Sequence, residues 1–344
     1  MLAAVTRARA TMTLVEAPEP GAPGPGEVIV RSEAVGLCGS DFHYFTGDLG
    51  AVPQAKLYPR IQGHEAAGRI EELGPDCPGL RSGDRVAIWP VTACGRCYPC
   101  SLGRCNACAN ISLIGIHRDG ALQERFRLRA EQVFPVGDQD AAVSALVEPV
   151  SIAVRAVVRG RVARGEKVVV FGAGPIGQAL AVASIDRGAS VLLLDPVASR
   201  LARARATGAE FVVLEEGGDA SAAAREWAGG DGPEVVFEAT GVPEVATAAV
   251  DLVAPAGRVV VVGLGTREAP LRAGTLAFKE LDLLGTSCCG AGEFGAAVSL
   301  VARRRDALAG LVTHEFPFAS APEAIVYAME HPSEVTKAVI RLDG

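Results

Sequence analysis

The 344-residue chain contains no run of 18 or more apolar residues, so no membrane-spanning helix is expected. It has no basic excess either. The formal net charge is −7, and Lys and Arg are scattered apart from Arg303-Arg304-Arg305. Nucleic acid and anionic membrane are thereby disfavoured as partners. The arginine run reads as a solvated helix face. The N-terminus lacks a basic region, an apolar core and a small-residue cleavage site in succession, so secretion is not indicated. No internal repeat or low-complexity tract is present. What remains is the composition of an ordinary globular protein, 49% hydrophobic and 21% charged. Its length suggests about two domains.

Nine cysteines could form disulfides, but the number is odd and five of them fall between positions 94 and 108. Without a secretion signal, reduced metal-binding thiols in the cytoplasm fit better. Cys94-Gly-Arg-Cys97-Tyr-Pro-Cys100 is followed, after seven residues, by Cys108. That spacing suits one tetrahedral zinc. Four thiolates leave no open coordination position, so any chemistry must occur elsewhere. Cys105 is an extra thiol inside the lobe.

Residues 1 to about 150 are rich in Gly and Pro, with short apolar alternations such as Glu27–Arg31 and Arg85–Trp89. They read as short strands joined by turns, in a β-barrel-like domain with few helices. The pattern changes near Glu148-Pro149. From 151 to 285, apolar runs at Val168–Phe171, Val191–Leu194, Phe211–Leu214, Val235–Phe237 and Val259–Val262 alternate with Ala/Arg-rich helical stretches. Continuous apolar strands separated by helices predict an α/β, doubly wound parallel sheet. Residues 286–344 contain one helical stretch, Phe294 to Arg305. They are too few for a domain of their own and are expected to pack back on the first domain.

Gly172-Ala-Gly174-Pro175-Ile176-Gly177 leaves the strand Val168–Phe171 and opens a helix running to about Arg187. In that context the glycine pattern predicts a dinucleotide site. Gly172 permits the turn, Gly174 admits the pyrophosphate and Gly177 lets helix pack on strand. Pro175 suits the first helical turn, where a missing N–H costs nothing. Asp195 ends the next strand, where an acid is expected on the ribose hydroxyls. It would repel a 2′-phosphate and favour NAD over NADP. Arg200 is placed to lie along the adenine, or to blunt that preference. Asp195 can alternatively be read as a helix N-cap.

Two further clusters stand in the first domain, Gly36-Leu-Cys38-Gly-Ser40-Asp41-Phe-His43 and Gly63-His64-Glu65. Cys38, His64 and Glu148 supply a thiolate, an imidazole and a carboxylate, and Glu65 is a second carboxylate. Three protein ligands leave a fourth position open for water or substrate, as a catalytic zinc requires. Taken singly, each residue also has a plain alternative: a small buried cysteine, a core histidine, surface glutamates.

The combination resembles the zinc-dependent medium-chain dehydrogenase family. Gly63-His64-Glu65-Ala-Ala-Gly68 with Gly74 is similar to its zinc signature, the four cysteines to its structural-zinc lobe, and Gly172–Gly177 to its cofactor loop. Cys38–Tyr44, Ala145–Pro149 and Leu311–His314 resemble the sorbitol (polyol) dehydrogenase branch and related sugar-acid dehydrogenases. The resemblance implies a GroES-like catalytic domain (1–150, completed by 286–344) and a Rossmann NAD-binding domain (151–285). It implies two zinc ions per chain, one catalytic and one structural, with NAD as acceptor. Cys38, His64 and a carboxylate would hold the catalytic zinc, Glu65 and Glu148 binding directly, through water, or alternately.

The implied reaction oxidises a secondary alcohol (polyol, sugar or sugar acid) to a ketone, or runs in reverse. Ser40 matches the residue that accepts the hydroxyl proton and His43 the shuttle beyond it. A homotetramer or homodimer is implied. An amino alcohol such as threonine is the alternative substrate, and a non-catalytic NAD-binding regulator the alternative function. One departure stands out: Cys288-Cys289 occupies the place where the polyol branch carries an Arg-Tyr pair. His117, His314 and His331 are expected to be structural.

Overall fold

The computed structural model describes residues 1–48, 58–213, 220–265 and 267–343, in two compact units. The first comprises Met1–Ser151, Cys288–Arg305 and Val312–Gly344, and the second Ile152–Ser287 and Asp306–Leu311.

The first unit is built on antiparallel strands around one apolar core that includes Val28, Val30, Ile70, Ile88, Leu122 and Phe126. Its central strand, Glu27–Gly36, runs past the expected end at Arg31. It pairs with Glu65–Leu73 from Val28↔Leu73 to Gly36↔Glu65, with two register shifts on the way. Residues 32–36 are all buried, so period-2 alternation does not mark them as strand. The C-terminal strand Lys337–Arg341 pairs with the same central strand, bringing Val339 opposite Gly36. Gly36 therefore lies between Glu65 on one side and the C-terminal strand on the other.

The helical stretch expected from Phe294 begins earlier, at Ala291, and ends at Arg303. Glu293 accepts the backbone N–H of Gly290 at 2.9 Å and so fixes the earlier start. Arg304 leaves helical geometry, and a second short helix, Arg305–Ala309, follows. Ala141–Arg159 is long and apolar enough to cross a membrane by composition, yet 78% of its most apolar window is buried inside the protein. It is interrupted by Glu148 and Arg155, which is why no uninterrupted apolar run is visible there.

The second unit holds a six-stranded parallel sheet. Its spatial order is Glu210–Val213, Ser190–Asp195, Lys167–Phe171, Val235–Glu238, Arg258–Val261 and Asp282–Gly285. In chain order that is 3-2-1-4-5-6, the Rossmann arrangement, with its topological switch between the first and fourth strands. Val168–Val170, Leu192–Leu194, Val235–Phe237 and Val259–Val260 are almost fully buried, as expected for a sheet covered on both faces. Leu214, the end of the third expected strand, lies outside the described residues.

Candidate metal and cofactor sites

The four cysteines form a cluster carried by a two-stranded hairpin (Val91–Thr92 with Ser112–Leu113) and two short helical turns. One sulfur from each of Cys94, Cys97, Cys100 and Cys108 lies within 4.8 Å of the others. Backbone N–H groups of Cys94 and Asn110 point at the Cys108 sulfur at 3.2 and 3.3 Å. Hydrogen bonds from Arg96 N–H and then from Cys108 pull the Cys94 thiol down to about 6. Burial and the neighbouring thiols push Cys100 up to about 12. Four sulfurs this close, some ready to ionise and others not, suit a cation that takes all four as thiolates. Cys105 is not one of the four.

The second cluster forms where three local structures meet. Cys38 is the N-cap of the helix Gly39–Thr46, His64 precedes the strand Glu65–Leu73, and Glu65 is that strand's first residue. Cys38 Sγ, a His64 ring nitrogen and a Glu65 oxygen lie within 4.8 Å of one another. A Cβ at Gly36 would come within 2.3 Å of Glu65 Oε2, so only glycine leaves that carboxylate its place. Among the described residues Glu148 is outside this group of three. It is nonetheless buried and within electrostatic reach. Burial chiefly, with Glu65 and Asp41 adding and His64 and Lys337 opposing, pushes its carboxyl up to about 7. His64 Nε2 lies 3.3 Å from Ser40 Oγ, whereas its Nδ1 is buried without a hydrogen-bond partner. Asp41 Oδ1 lies 3.7 Å from Nδ1, beyond hydrogen-bond length. Burial opposes charge on His64, but Asp41, Cys38 and Glu148 together hold its pKa well above the ordinary value. A thiol, an imidazole and a carboxylate crowded together, with one imidazole nitrogen buried and unpaired, fit a zinc ion.

Two residues of this site are not evident from metal-ligand patterns. Asp41 is fully buried. It accepts the Cys38 N–H at 3.0 Å, and its backbone carbonyl accepts Gln62 Nε2 at 2.8 Å. Its position three after Cys38 is that of a capping-box acid, the one signal that could have exposed it. Lys337 is buried too. Its Nζ donates to both Glu65 oxygens at 2.7 and 2.6 Å and to the Leu37 carbonyl at 2.9 Å. A lysine opening the apolar run Lys337–Ile340 is its only sequence mark.

His43 sits one helical turn after Ser40, on the same helix face. Among the described residues no hydrogen bond joins the two side chains. His117 Nδ1 accepts the Leu113 N–H at 3.1 Å, and His331 stacks on Tyr327 with centroids 4.1 Å apart. Both rings are engaged in local contacts. Cys289 is buried, its Sγ 3.0 Å from Ser151 Oγ, and burial pushes its thiol far up, so it stays neutral.

In the second unit Gly172 has φ +99°, in the left-handed region, and a Cβ on Gly177 would stand 1.7 Å from the Gly172 carbonyl. Both positions require glycine. A Cβ on Gly174 would meet nothing within 4 Å, which marks an open cradle. Gly174 is the N-cap of the helix Pro175–Asp186, with Pro175 and Ile176 in its first turn and partly exposed. Asp195 Oδ2 accepts the Ala173 N–H and Oδ1 the Val197 N–H, both at 2.7 Å. The acid thus clamps the glycine loop to the end of its own strand. Each oxygen keeps a lone pair for a ribose hydroxyl. The following helix, Ala198–Ala204, is capped by Val197, so Asp195 is not its N-cap. Arg200 Nη1 lies 3.7 Å from Asp195.

A barrel-type unit with two zinc-type clusters and a Rossmann unit with an open glycine cradle define a metal-dependent nicotinamide dehydrogenase. Residues 24–138 match the Alcohol dehydrogenase GroES-like domain family and residues 175–303 the Zinc-binding dehydrogenase family. The chain is 35% identical to human sorbitol dehydrogenase over 309 residues, covering 88% of this chain and 85% of that one. It is 33% identical to L-galactonate-5-dehydrogenase of Escherichia coli K12 over 319 residues, covering 92% of each. The structure of an Escherichia coli CFT073 alcohol dehydrogenase complexed with NADH matches at 27% identity and a TM-score of 0.89, over 99% of both chains. The chain belongs to the zinc-dependent medium-chain dehydrogenase family, in its sorbitol dehydrogenase-like branch.

Proposed function

We propose that this enzyme oxidises a secondary alcohol of a polyol, sugar or sugar acid with NAD, or runs the reverse reduction, at a zinc held by Cys38, His64 and a carboxylate. The observation that carries this reading is the convergence of Cys38, His64 and Glu65 donor atoms within 4.8 Å beside the Ser40 hydroxyl. When bound, zinc would supply Lewis acidity toward the substrate hydroxyl, and NAD would supply the hydride acceptor. The chain does the rest. Asp41 faces His64 Nδ1 from the side away from Ser40 and would orient the ring on metal loading by closing to hydrogen-bond length. Ser40 accepts the hydroxyl proton, and His43 on the same helix face carries it outward. Gly174 and the first turn of the Pro175–Asp186 helix receive the pyrophosphate. Asp195 takes the ribose hydroxyls and so favours NAD, with Arg200 close enough to temper that preference. Cys94, Cys97, Cys100 and Cys108 hold a second, structural zinc.

The substrate class rests on the polyol and sugar-acid relatives. Cys288 and Cys289 offer neither a guanidinium nor a phenol to a polyol, so sorbitol itself is not carried over from the relatives as the substrate. We also place the enzyme in the cytoplasm as a homodimer or homotetramer, as the free cysteines and the family favour.

Metal content and turnover test the reading together. The purified chain should hold two zinc ions, fall to one in Cys38→Ser, and form NADH with at least one polyol or sugar acid. A single zinc that Cys38→Ser leaves in place would overturn the catalytic site. Turnover confined to amino alcohols would move the substrate class.

A further inference from the structure

The Glu65 carboxylate faces two claimants. One is Lys337, whose three N–H groups are all used: two on Glu65, at 2.7 and 2.6 Å, and one on the Leu37 carbonyl at 2.9 Å. The other is any cation between Cys38 and His64, since Glu65 is the third member of that cluster. The pair is almost sealed from water, with Lys337 and Glu65 side chains 4% and 2% exposed. A buried charge of either sign is tolerated only with its partner in place. The backbone has made room for this arrangement. Gly36 lies opposite Glu65 in one ladder and opposite Val339 in the other, and any side chain at 36 would collide with the carboxylate.

We propose that Lys337 is a positioning residue that competes with the metal for Glu65: it holds the carboxylate at the edge of the metal site and weakens its donation to the ion. This rests on the reading that Cys38 and His64 hold zinc. In the empty site Lys337 neutralises a carboxylate that would otherwise be buried unpaired. In the loaded site its charge repels the cation and occupies both Glu65 oxygens. Removing the ammonium therefore acts twice in one direction. The empty form loses stability, and the loaded form gains a full carboxylate ligand. A lysine that merely braced the strand would do the opposite, because its loss would loosen Glu65 and with it the metal.

The test follows zinc transfer from the full-length protein to a chromogenic chelator, with the four-cysteine site as internal reference. Lys337→Met and Lys337→Gln should release the Cys38/His64 zinc several-fold more slowly than the unsubstituted protein, because a like charge beside the ion is removed. The reference phase should not change, and the metal-free form should melt at lower temperature. Glu65→Gln/Lys337→Met should abolish the slowing, since the lysine acts through Glu65. Lys337→Gln still donates a hydrogen bond, so it carries the test if Lys337→Met does not fold. Unchanged or faster release in the single variants, or slowing that persists in the double variant, overturns the inference while leaving the zinc site intact. Absence of any second zinc in the unsubstituted protein overturns the site reading, and the inference falls with it.

Discussion

Asp41 ties the two nitrogen and sulfur donors of the candidate catalytic site together: one carboxylate oxygen takes the Cys38 N–H at 3.0 Å, the other faces His64 Nδ1 at 3.7 Å. A carboxylate behind a ligating histidine fixes its tautomer and raises its basicity, and such partners are worth about 10–100-fold in metal affinity. Asp41→Ala should therefore lose the Cys38/His64 zinc to a chelator about 10–100-fold more readily. The four-cysteine zinc should remain. Equal retention of both ions would show that Asp41 only braces the loop.

The same electrostatics give zinc loading a pH dependence. The raised His64 pKa means that the empty site holds an imidazolium, which must lose its proton before the nitrogen can ligate. Zinc uptake at this site should strengthen as pH rises through that raised value. In Asp41→Asn, which removes the largest influence favouring the charge, the rise should move to lower pH. Titrating zinc uptake at several pH values reads this directly.

The glycine loop offers a contrast between two neighbouring positions. A methyl at Gly177 would stand 1.7 Å from the Gly172 carbonyl, inside the protein, whereas a methyl at Gly174 would meet nothing of the protein. Gly177→Ala should lower stability by several degrees in melting temperature and lose NADH binding with it. Gly174→Ala should melt like the unsubstituted protein and still bind NADH at least about tenfold more weakly, because the methyl stands where the pyrophosphate approaches. Fluorescence titration with NADH beside a thermal melt separates the two. Normal binding by Gly174→Ala would move the pyrophosphate elsewhere.

Much of this was legible in the sequence because it is local. The strand and the glycines are contiguous and the acid follows at the end of the next strand, so the turn, the helix start and the position of Asp195 announce themselves, whereas its clamp on the Ala173 N–H does not. The four cysteines fall within fifteen positions of one another. The catalytic cluster was only half legible. Cys38 and His64 carry ligand chemistry on their faces, but Lys337 reaches Glu65 across 272 positions through a strand pairing that no local pattern encodes. The burial of residues 32–36 was hidden for a related reason. Val35 on one face joins the main core and Ala34 on the other packs with Ala141, Ala142 and Ala145, so with both faces covered they show no alternation. Asp41 is also an ordinary helix-start acid, which masks its place beside His64.

Asp195 has two duties, and they predict a compound defect. Its oxygens hold the N–H groups of Ala173 and Val197, so they order the loop as well as facing the ribose. Asp195→Ala should raise KM for NAD by at least about tenfold, with kcat nearly unchanged, because the loss falls on binding. It should also narrow the gap between NAD and NADP, since the charge that repels a 2′-phosphate is gone and Arg200 is freed from its 3.7 Å contact. Steady-state kinetics with both cofactors check this. An unaltered NAD/NADP ratio would reduce Asp195 to its structural role.

Glu33 makes the acid limb of stability a property of the first unit. Its carboxylate is buried in the central strand, 2.9 Å from Arg69 Nε and 2.6 Å from Arg85 Nε. Burial alone would raise its pKa, but the two guanidiniums outweigh it and hold the carboxyl below the ordinary range. A depressed carboxylate contributes stability that is present above its unfolded value and lost as pH falls through its folded value. Glu33→Gln should therefore cost stability near neutral pH, about 3 kcal/mol for breaking a buried pair, and less to the extent that Arg69 reaches solvent. The difference from the unsubstituted protein should shrink toward acid pH, as the native carboxylate is itself protonated. Urea unfolding at neutral and acid pH measures both. A penalty independent of pH would mean that Glu33 contributes by shape and hydrogen bonding, and that its charge is incidental.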